Sequence, residues 1–513
     1  MEVITAQEIG KYIPDDATVA IEGFIGSGVA DSVHQSIREY FNQTKHPQHL
    51  TLIHAAGIGD ADTKGMNYYN HPQLVQRVIG GHWAMAPKLQ PLVEQNLIEA
   101  YNFPQGVISH LLREASAGKE IMLSKVGLGT FVDPDLQGGK LNQKTTEDLV
   151  QKVEVLGETY LAYQVPKIDI AILRGTYADQ NGNISFEHEA LTLEATSMAI
   201  AAHNNGGKVI VQVKKIVDNG TLDPKKVKIP GLLVDYVVES IADEHQGQTY
   251  GIKHNDQLFT PGLAEHVAFD LPLNQRSLIG QLCLQFIPSY AKVVNYGIGM
   301  PEMVAQVIKA DYPKLDAKLT PTIEPGTVGG APLSGMDFGT SLYPEATIDQ
   351  SYMFDLYDGG GIDIAFLGLA ECDRFGNINV SKFGAKIAGA GGFINISQNT
   401  KHIVFCGTFT AGGLQTTIAD GTLRIQKEGQ KQKFVQQVEQ ITFNGRLALE
   451  RQQIVHYVTE RAIFTLTEQG LCLTQIAPGI DLERDILAQM AFKPLIADKL
   501  QVMDQKYFQK KGL

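Results

Sequence analysis

The chain has 513 residues, 43% hydrophobic and 19% charged, and 43 Lys and Arg against 56 Asp and Glu give it a net charge of -13. At roughly 100 to 200 residues per domain the length predicts two or three domains; the composition excludes a disordered chain, and no stretch approaches the roughly 18 apolar residues of a spanning helix. The acidic balance argues against nucleic acid as the main partner, and a start with Glu2 and no basic-then-apolar leader makes the cytoplasm the expected compartment.

Short β-branched runs punctuated by 51 glycines alternate with helical patterns along the chain, which predicts an α/β protein. The first Gly loop, Gly26-Ser27-Gly28, is followed by Val33, Ile37, Tyr40 and Phe41 at helical spacing. Further on, Tyr101-Asn102-Phe103-Pro104-Gln105-Gly106 precedes another helical stretch and sets Gln105 at its start, where a side-chain amide can point outward as a donor. Ile168 to Leu173 reads as a buried strand leading to a D-x-x-G-N turn at Asp179, Gly182 and Asn183. The polar stretch 246–274 is the expected linker between an N-terminal domain, 1–245, and a C-terminal domain, 275–513.

The second half repeats these signals. Gly297-Ile298-Gly299 followed by Met303, Val304, Val307 and Ile308 matches the first loop at an offset of 271 (Gly28 to Gly299). Ile362 to Leu367 with Asp373, Gly376 and Asn377 matches the strand and turn at an offset of 194 (Asp169 to Asp363). The change of offset means a longer insertion in the first half, and duplication with divergence accounts for both matches. Between them, Glu324 precedes Pro325-Gly326, read as the corner of a tight turn, with the residue before proline driven toward extended backbone. Gly389-Ala390-Gly391-Gly392-Phe393 follows, and an amide such as that of Gly392, with no Cβ in the way, can approach a ligand closely. By pattern alone the three features are ordinary: a solvated glutamate, a helix entry and a close-packed turn.

Other chemistries find little support. Asp31 and Glu302 stand where a dinucleotide fingerprint needs its last Gly or Ala, and Gly139-Lys140 and Gly207-Lys208 lack the flanking residues of a P-loop. No H-E-x-x-H or G-x-S-x-G occurs, and Cys283, Cys372, Cys406 and Cys472 lie far apart with no C-x-x-C pair, as expected of reduced thiols.

Taken together, these residues resemble the family I CoA-transferases, in the single-chain branch that uses acetate and propionate. The resemblance spans nearly the whole chain: Gly23-Phe24, Gly28 with Ala30-Asp31, the stretches 81–91, 98–118, 126–134 and 293–302, Glu324 with its Pro-Gly turn, and 359–384, 389–397, 458–464 and 477–481. It implies two similar open-sheet domains flanked by helices. It also implies that Glu324 is the nucleophile, and that Gln105 and the Gly392 amide are oxyanion donors, through the Pro-Gln-Gly and Gly-x-Gly-Gly motifs. The ketoacid branch has Asn-Gly after its glutamate, so Pro325-Gly326 directs the expectation toward simple acyl groups and acetate.

The chemistry the resemblance implies is ping-pong transfer of CoA between a short-chain acyl-CoA and a carboxylate through a glutamyl-CoA thioester, with no metal and no cofactor besides CoA as substrate. Gly26, Gly28, Gly389, Gly391 and Lys386 are the expected CoA-side residues, with Lys382 a second cation flanking the Gly389 turn. Gln105 belongs to the first half and Glu324 and Gly392 to the second, so the site is expected to be assembled across a cleft between the duplicated domains. The family implies a homo-oligomer, with a tetramer as the expected form. Two alternatives stay open: an acyl-CoA hydrolase using the same glutamate, and a non-catalytic acyl-CoA-binding sensor.

Overall fold

The computed structural model describes residues 1–263 and 271–509, and the chain divides into two compact units. Unit 1 gathers Met1–Ala264, Ile323–Asp355 and Phe383–Asn395; unit 2 gathers Glu265–Thr322, Leu356–Lys382 and Ile396–Leu513. The division is therefore not a single cut: two segments of the second half, those holding Glu324 and Gly392, pack with the first. Of the expected linker 246–274, residues 264–270 lie outside the described residues. Part of the rest is built into unit 1, where Leu258 is buried among Phe24, Ile25, Leu193 and Phe338.

Unit 1 is laid on an eight-stranded parallel sheet in the order Glu2–Val3, Tyr236–Glu239, Lys208–Val213, Ile170–Arg174, Thr18–Ile21, Leu50–His54, Val75–Gly80 and Glu99–Asn102. The central strands read as almost unbroken apolar runs because both faces are covered. Ile172 and Ile210 belong to a cluster with Val33, Ile37 and Phe41 of the helix Asp31–Thr44; Ala171 and Leu173 belong to another with Val107, Ile108 and Leu111 of the helix Gln105–Ser116. The longer insertion of the first half supplies the strands Val75–Gly80 and Glu99–Asn102 and an antiparallel group of Ile121–Ser124, Glu158–Gln164 and Val150–Val155.

Unit 2 has strands in the order Thr320–Ile323, Val293–Tyr296, Ile364–Gly368, His402–Cys406 and Ile454–Val458, all parallel, then Ala462–Thr467 and Gly470–Ile476 antiparallel, with Leu495–Val502 parallel to the last. The helix Glu302–Asp311 buries Val304, Val307 and Ile308. Cys283, Cys372 and Cys406 are buried free thiols, and Cys472 is partly exposed and also free. Among the described residues no helix is long and apolar enough to cross a membrane.

The repeat holds at the level of individual hydrogen bonds. Asp179 Oδ1 accepts the N–H groups of Asn181 and Asn183 at 2.9 Å, and Asn183 Nδ2 donates to Asp179 Oδ2 at 2.8 Å. Asp373 does the same with Phe375, Asn377 and the Asn377 amide at 3.0, 3.1 and 2.9 Å. Gly182 and Gly376 both take positive φ, 85° and 77°, and Asn183 and Asn377 each accept a glycine N–H from a distant loop, Gly231 and Gly445. Both strands begin at the third residue of the matched run, Ile170 and Ile364, because the aspartate ahead of each turns its carboxylate onto a neighbouring strand, Asp169 to the Thr18 N–H and Asp363 to the Val293 N–H.

Candidate active site

Glu324 follows directly on the strand Thr320–Ile323. The Gly326 N–H donates to the Ile323 C=O at 3.0 Å, so Glu324 and Pro325 hold the two central positions of the turn, one residue earlier than the Pro-Gly corner expected from the sequence. Gly326 closes the turn at φ 117°, returns its C=O to the Ile348 N–H at 2.9 Å, and leads into Thr327–Val328, which pairs antiparallel with Ala346–Thr347. Ile323 packs in a cluster with Phe24, Ala56, Leu191 and Leu193. The carboxyl that this turn presents is 8% exposed, its Oε2 has no hydrogen-bond partner among the described residues, and burial pushes its pKa up from 4.5 to about 7.

Gln105 is the first residue of its helix, with Pro104 as the N-cap at φ -57° and ψ 140°. Its side chain does not point outward: it is 3% exposed, and Nε2 donates to Gln350 Oε1 at 3.1 Å. Gln350 opens the helix Gln350–Asp358, is fully buried, and donates in turn to Glu194, which also accepts from Ser109 Oγ at 2.8 Å. Burial raises the Glu194 carboxyl to about 7. Further along the same two helices His110 Nε2 reaches Asp355 Oδ1 at 3.1 Å and Arg113 Nη1 meets Asp355 Oδ2 at 2.5 Å; the His110 bond first, then the Arg113 pair, hold the Asp355 carboxyl well below the usual carboxylate range against its partial burial.

The Gly-rich turn is stitched to the same helix start. Gly391 accepts the Gln105 backbone N–H at 2.9 Å and donates to the Gly81 C=O at 2.8 Å. The Ala390 N–H donates to Asn102 Oδ1 at 2.9 Å, and Asn102 Nδ2 donates to the C=O groups of Gly80 and Gly81. A Cβ at Gly389 would fall 2.8 Å from His82 Cα, and one at Gly106 would fall 2.4 Å from Asn395 Nδ2, so both motif glycines are required for packing. Gly392 is buried immediately ahead of the short helix Phe393–Asn399.

Gln105, Glu324 and Gly392 therefore all lie in unit 1, and not one group against two in separate compact units as expected. The duplication still has a bearing. Matching the sheets by register, Ile170 lies beside Val19 and Val19 beside Leu52, while Ile364 lies beside Val294 and Val294 beside Pro321. Three residues on from Leu52 and Pro321 stand Ala55 and Glu324, so Ala55-Ala56-Gly57 occupies in the first half the place of Glu324-Pro325-Gly326. One copy carries the carboxyl and the other a methyl group.

The other expected residues divide. Gly391 touches Gln105 directly, whereas a Cβ on Gly26 would collide with Tyr250 at 2.4 Å and one on Gly28 with Leu193 at 2.7 Å, so these two are seated against side chains. Lys386 is exposed at the start of Lys386–Ile387, and Lys382 is half-buried. Sequence reasoning missed Glu194, Gln350 and Ser109. No spacing marks them, since Gln105 and Gln350 are 245 residues apart, and only the folded chain makes them neighbours.

A family profile described as coenzyme A transferase matches residues 3–240. The chain is 43% identical to the acetate CoA-transferase YdiF of Escherichia coli O157:H7 over 99% of this chain and 95% of that protein. It is 44% identical to the caffeate CoA-transferase of Acetobacterium woodii, over 99% and 97%. The crystal structure of the acyl-CoA transferase YdiF apoenzyme from E. coli O157:H7 superposes with a TM-score of 0.91 at 42% identity, covering 99% of this chain and 96% of that one, and the same enzyme's thioester complex with CoA matches equally.

Proposed function

Because this chain belongs to the coenzyme A transferase family and is a CoA-transferase, we propose that it moves CoA between a short-chain acyl-CoA and acetate or another short-chain carboxylate through a thioester on Glu324. The observation that carries this reading is the Glu324 carboxyl: buried, set in a turn, with one oxygen left without a partner among the described residues. A carboxylate kept from water is a better nucleophile than a solvated one, because attack does not first have to strip a hydration shell.

In this reading the Glu324 carboxylate attacks the thioester carbonyl, the C–S bond breaks, and a mixed anhydride and CoA thiolate result. The thiolate attacks the glutamyl carbonyl, expels the acyl group as its carboxylate and leaves a Glu324–CoA thioester. A second carboxylate reverses both steps. Each addition gathers negative charge on an oxygen, and the second N–H of Gln105 Nε2, with the Gly392 amide, would receive it; one such donor is worth about 3 to 4 kcal/mol. A buried glutamyl thioester is also shielded from hydrolysis, which favours transfer over the hydrolase alternative.

The relatives' names support a carboxylate acceptor, and a relative named for caffeate is as similar as one named for acetate. The acceptor range is therefore tested directly. Initial rates with acetyl-CoA as donor are measured against propionate, butyrate and caffeate, varying both substrates. The proposal expects parallel double-reciprocal lines with the short acids and weak turnover with caffeate. Intersecting lines, or CoA release independent of acceptor, would remove it.

A further inference from the structure

The buried chain Ser109–Glu194–Gln350–Gln105 is longer than an oxyanion donor needs, and its order has a chemical consequence. We propose that Glu194 and Gln350 are positioning residues that fix which end of the Gln105 side-chain amide faces the reacting carbonyl. The inference rests on the assignment of Gln105 as an oxyanion donor made above.

A side-chain amide has an accepting oxygen on one side and a donating NH2 on the other, and an unconstrained glutamine presents either. Above about pH 7 the raised Glu194 carboxyl is ionised, and an ionised carboxylate only accepts. Glu194, accepting from Ser109 Oγ at 2.8 Å, therefore requires Gln350 to turn its NH2 toward it. The Gln350 oxygen is then left facing Gln105, and it can be satisfied only by the Gln105 NH2, which donates to it at 3.1 Å. One N–H of Gln105 is consumed and the other remains for the substrate oxygen, in a direction set by the amide plane.

The backbone at both ends is fixed as well. The Gln350 N–H donates to the Leu193 C=O at 3.0 Å, tying the helix start to the residue before Glu194, and the Gln105 N–H donates to the Gly391 C=O at 2.9 Å. With Gln350 0% and Glu194 5% exposed, water is in no position to substitute for a missing partner. Replacing the carboxylate by an amide of the same size keeps the packing but removes the rule that orients the chain.

The experiment is a set of near-isosteric variants assayed at about pH 8, where Glu194 is ionised, for kcat, KM and thermal midpoint, with Gln105→Ala as the reference. Glu194→Gln is expected to lower kcat about tenfold, short of the 10²–10³ expected on deleting a donor, with KM for acyl-CoA and the midpoint essentially kept. The double variant Glu194→Gln/Gln350→Glu is expected to recover kcat to within about threefold of wild type, because a carboxylate at 350 accepts directly from Gln105 and restores its direction. Should Glu194→Gln fold poorly, Gln350→Met serves in its place, expected to lower kcat at unchanged KM. Wild-type kcat in the folded single variant, or no recovery in the folded double, overturns the proposal. If Gln105→Ala itself retains full turnover, the functional reading of Gln105 fails; if Gln105→Ala is slow and Glu194→Gln is not, only the relay fails.

Discussion

Gly326 and Ile348 lie so close that a β-carbon on the glycine would sit 1.8 Å from the Ile348 carbonyl oxygen, while their backbones share a 2.9 Å hydrogen bond. The contact holds the turn that carries Glu324, and at φ 117° it excludes any side chain at 326 both by space and by backbone geometry.

Gly326→Ala is accordingly expected to cost about 2 kcal/mol or more of stability and to displace Glu324. Denaturant unfolding should show the loss, and kcat should fall in the protein that remains folded. A variant as stable and as active as wild type would show that the turn is not held as described.

Glu324→Gln should stabilise the protein while abolishing transfer. Burial raises this carboxyl from 4.5 to about 7, so the folded state holds its proton more tightly than the unfolded state does. The wild type therefore loses stability, relative to the amide, as pH rises from 4.5 through 7, a difference of about 3 kcal/mol when complete. Thermal midpoints compared at pH 5 and pH 8 check this: the variant's advantage should be small at the lower pH and large at the higher. For the same reason the wild-type rate of attack on acyl-CoA should climb toward a plateau above about pH 7.

If Gln105 is the oxyanion donor proposed above, Gln105→Ala should lower kcat by about 10²–10³ while leaving KM for acyl-CoA nearly unchanged. Single-turnover measurement of CoA release isolates the step. A change confined to KM would assign Gln105 to binding.

Asp179→Ala and Asp373→Ala break the same hydrogen-bond set in the two halves and should each destabilise by about 1 to 3 kcal/mol. Unequal losses measured by denaturant unfolding would mean that the repeated turns bear different loads.

Local signals carried much of this architecture. The helix after each Gly loop, the repeated strand and D-x-x-G-N turn, and the helix start at Gln105 all depend on residues within one element, and all stand in the structure. The Glu324 turn was visible through Pro325-Gly326, but its corner lies one residue earlier because the Gly326 N–H is needed to close it onto Ile323. What no local pattern reveals is partnership at long range. Gly26 against Tyr250 and Glu194 beside Gln350 come from distant segments, and the grouping of 323–355 and 383–395 with the first half follows from packing and not from chain order. The family resemblance singled out Glu324, Gln105 and Gly392; the carboxylate behind Gln105 became visible only once the chain was folded.

The central claim is covalent transfer through Glu324, and the most direct measurement is intact mass followed by peptide mapping after mixing the protein with acetyl-CoA and no acceptor. The account predicts a CoA-sized adduct on the peptide holding Glu324, absent in Glu324→Ala and discharged by added acetate. Turnover without any adduct on that peptide, or an adduct that survives in Glu324→Ala, would contradict it.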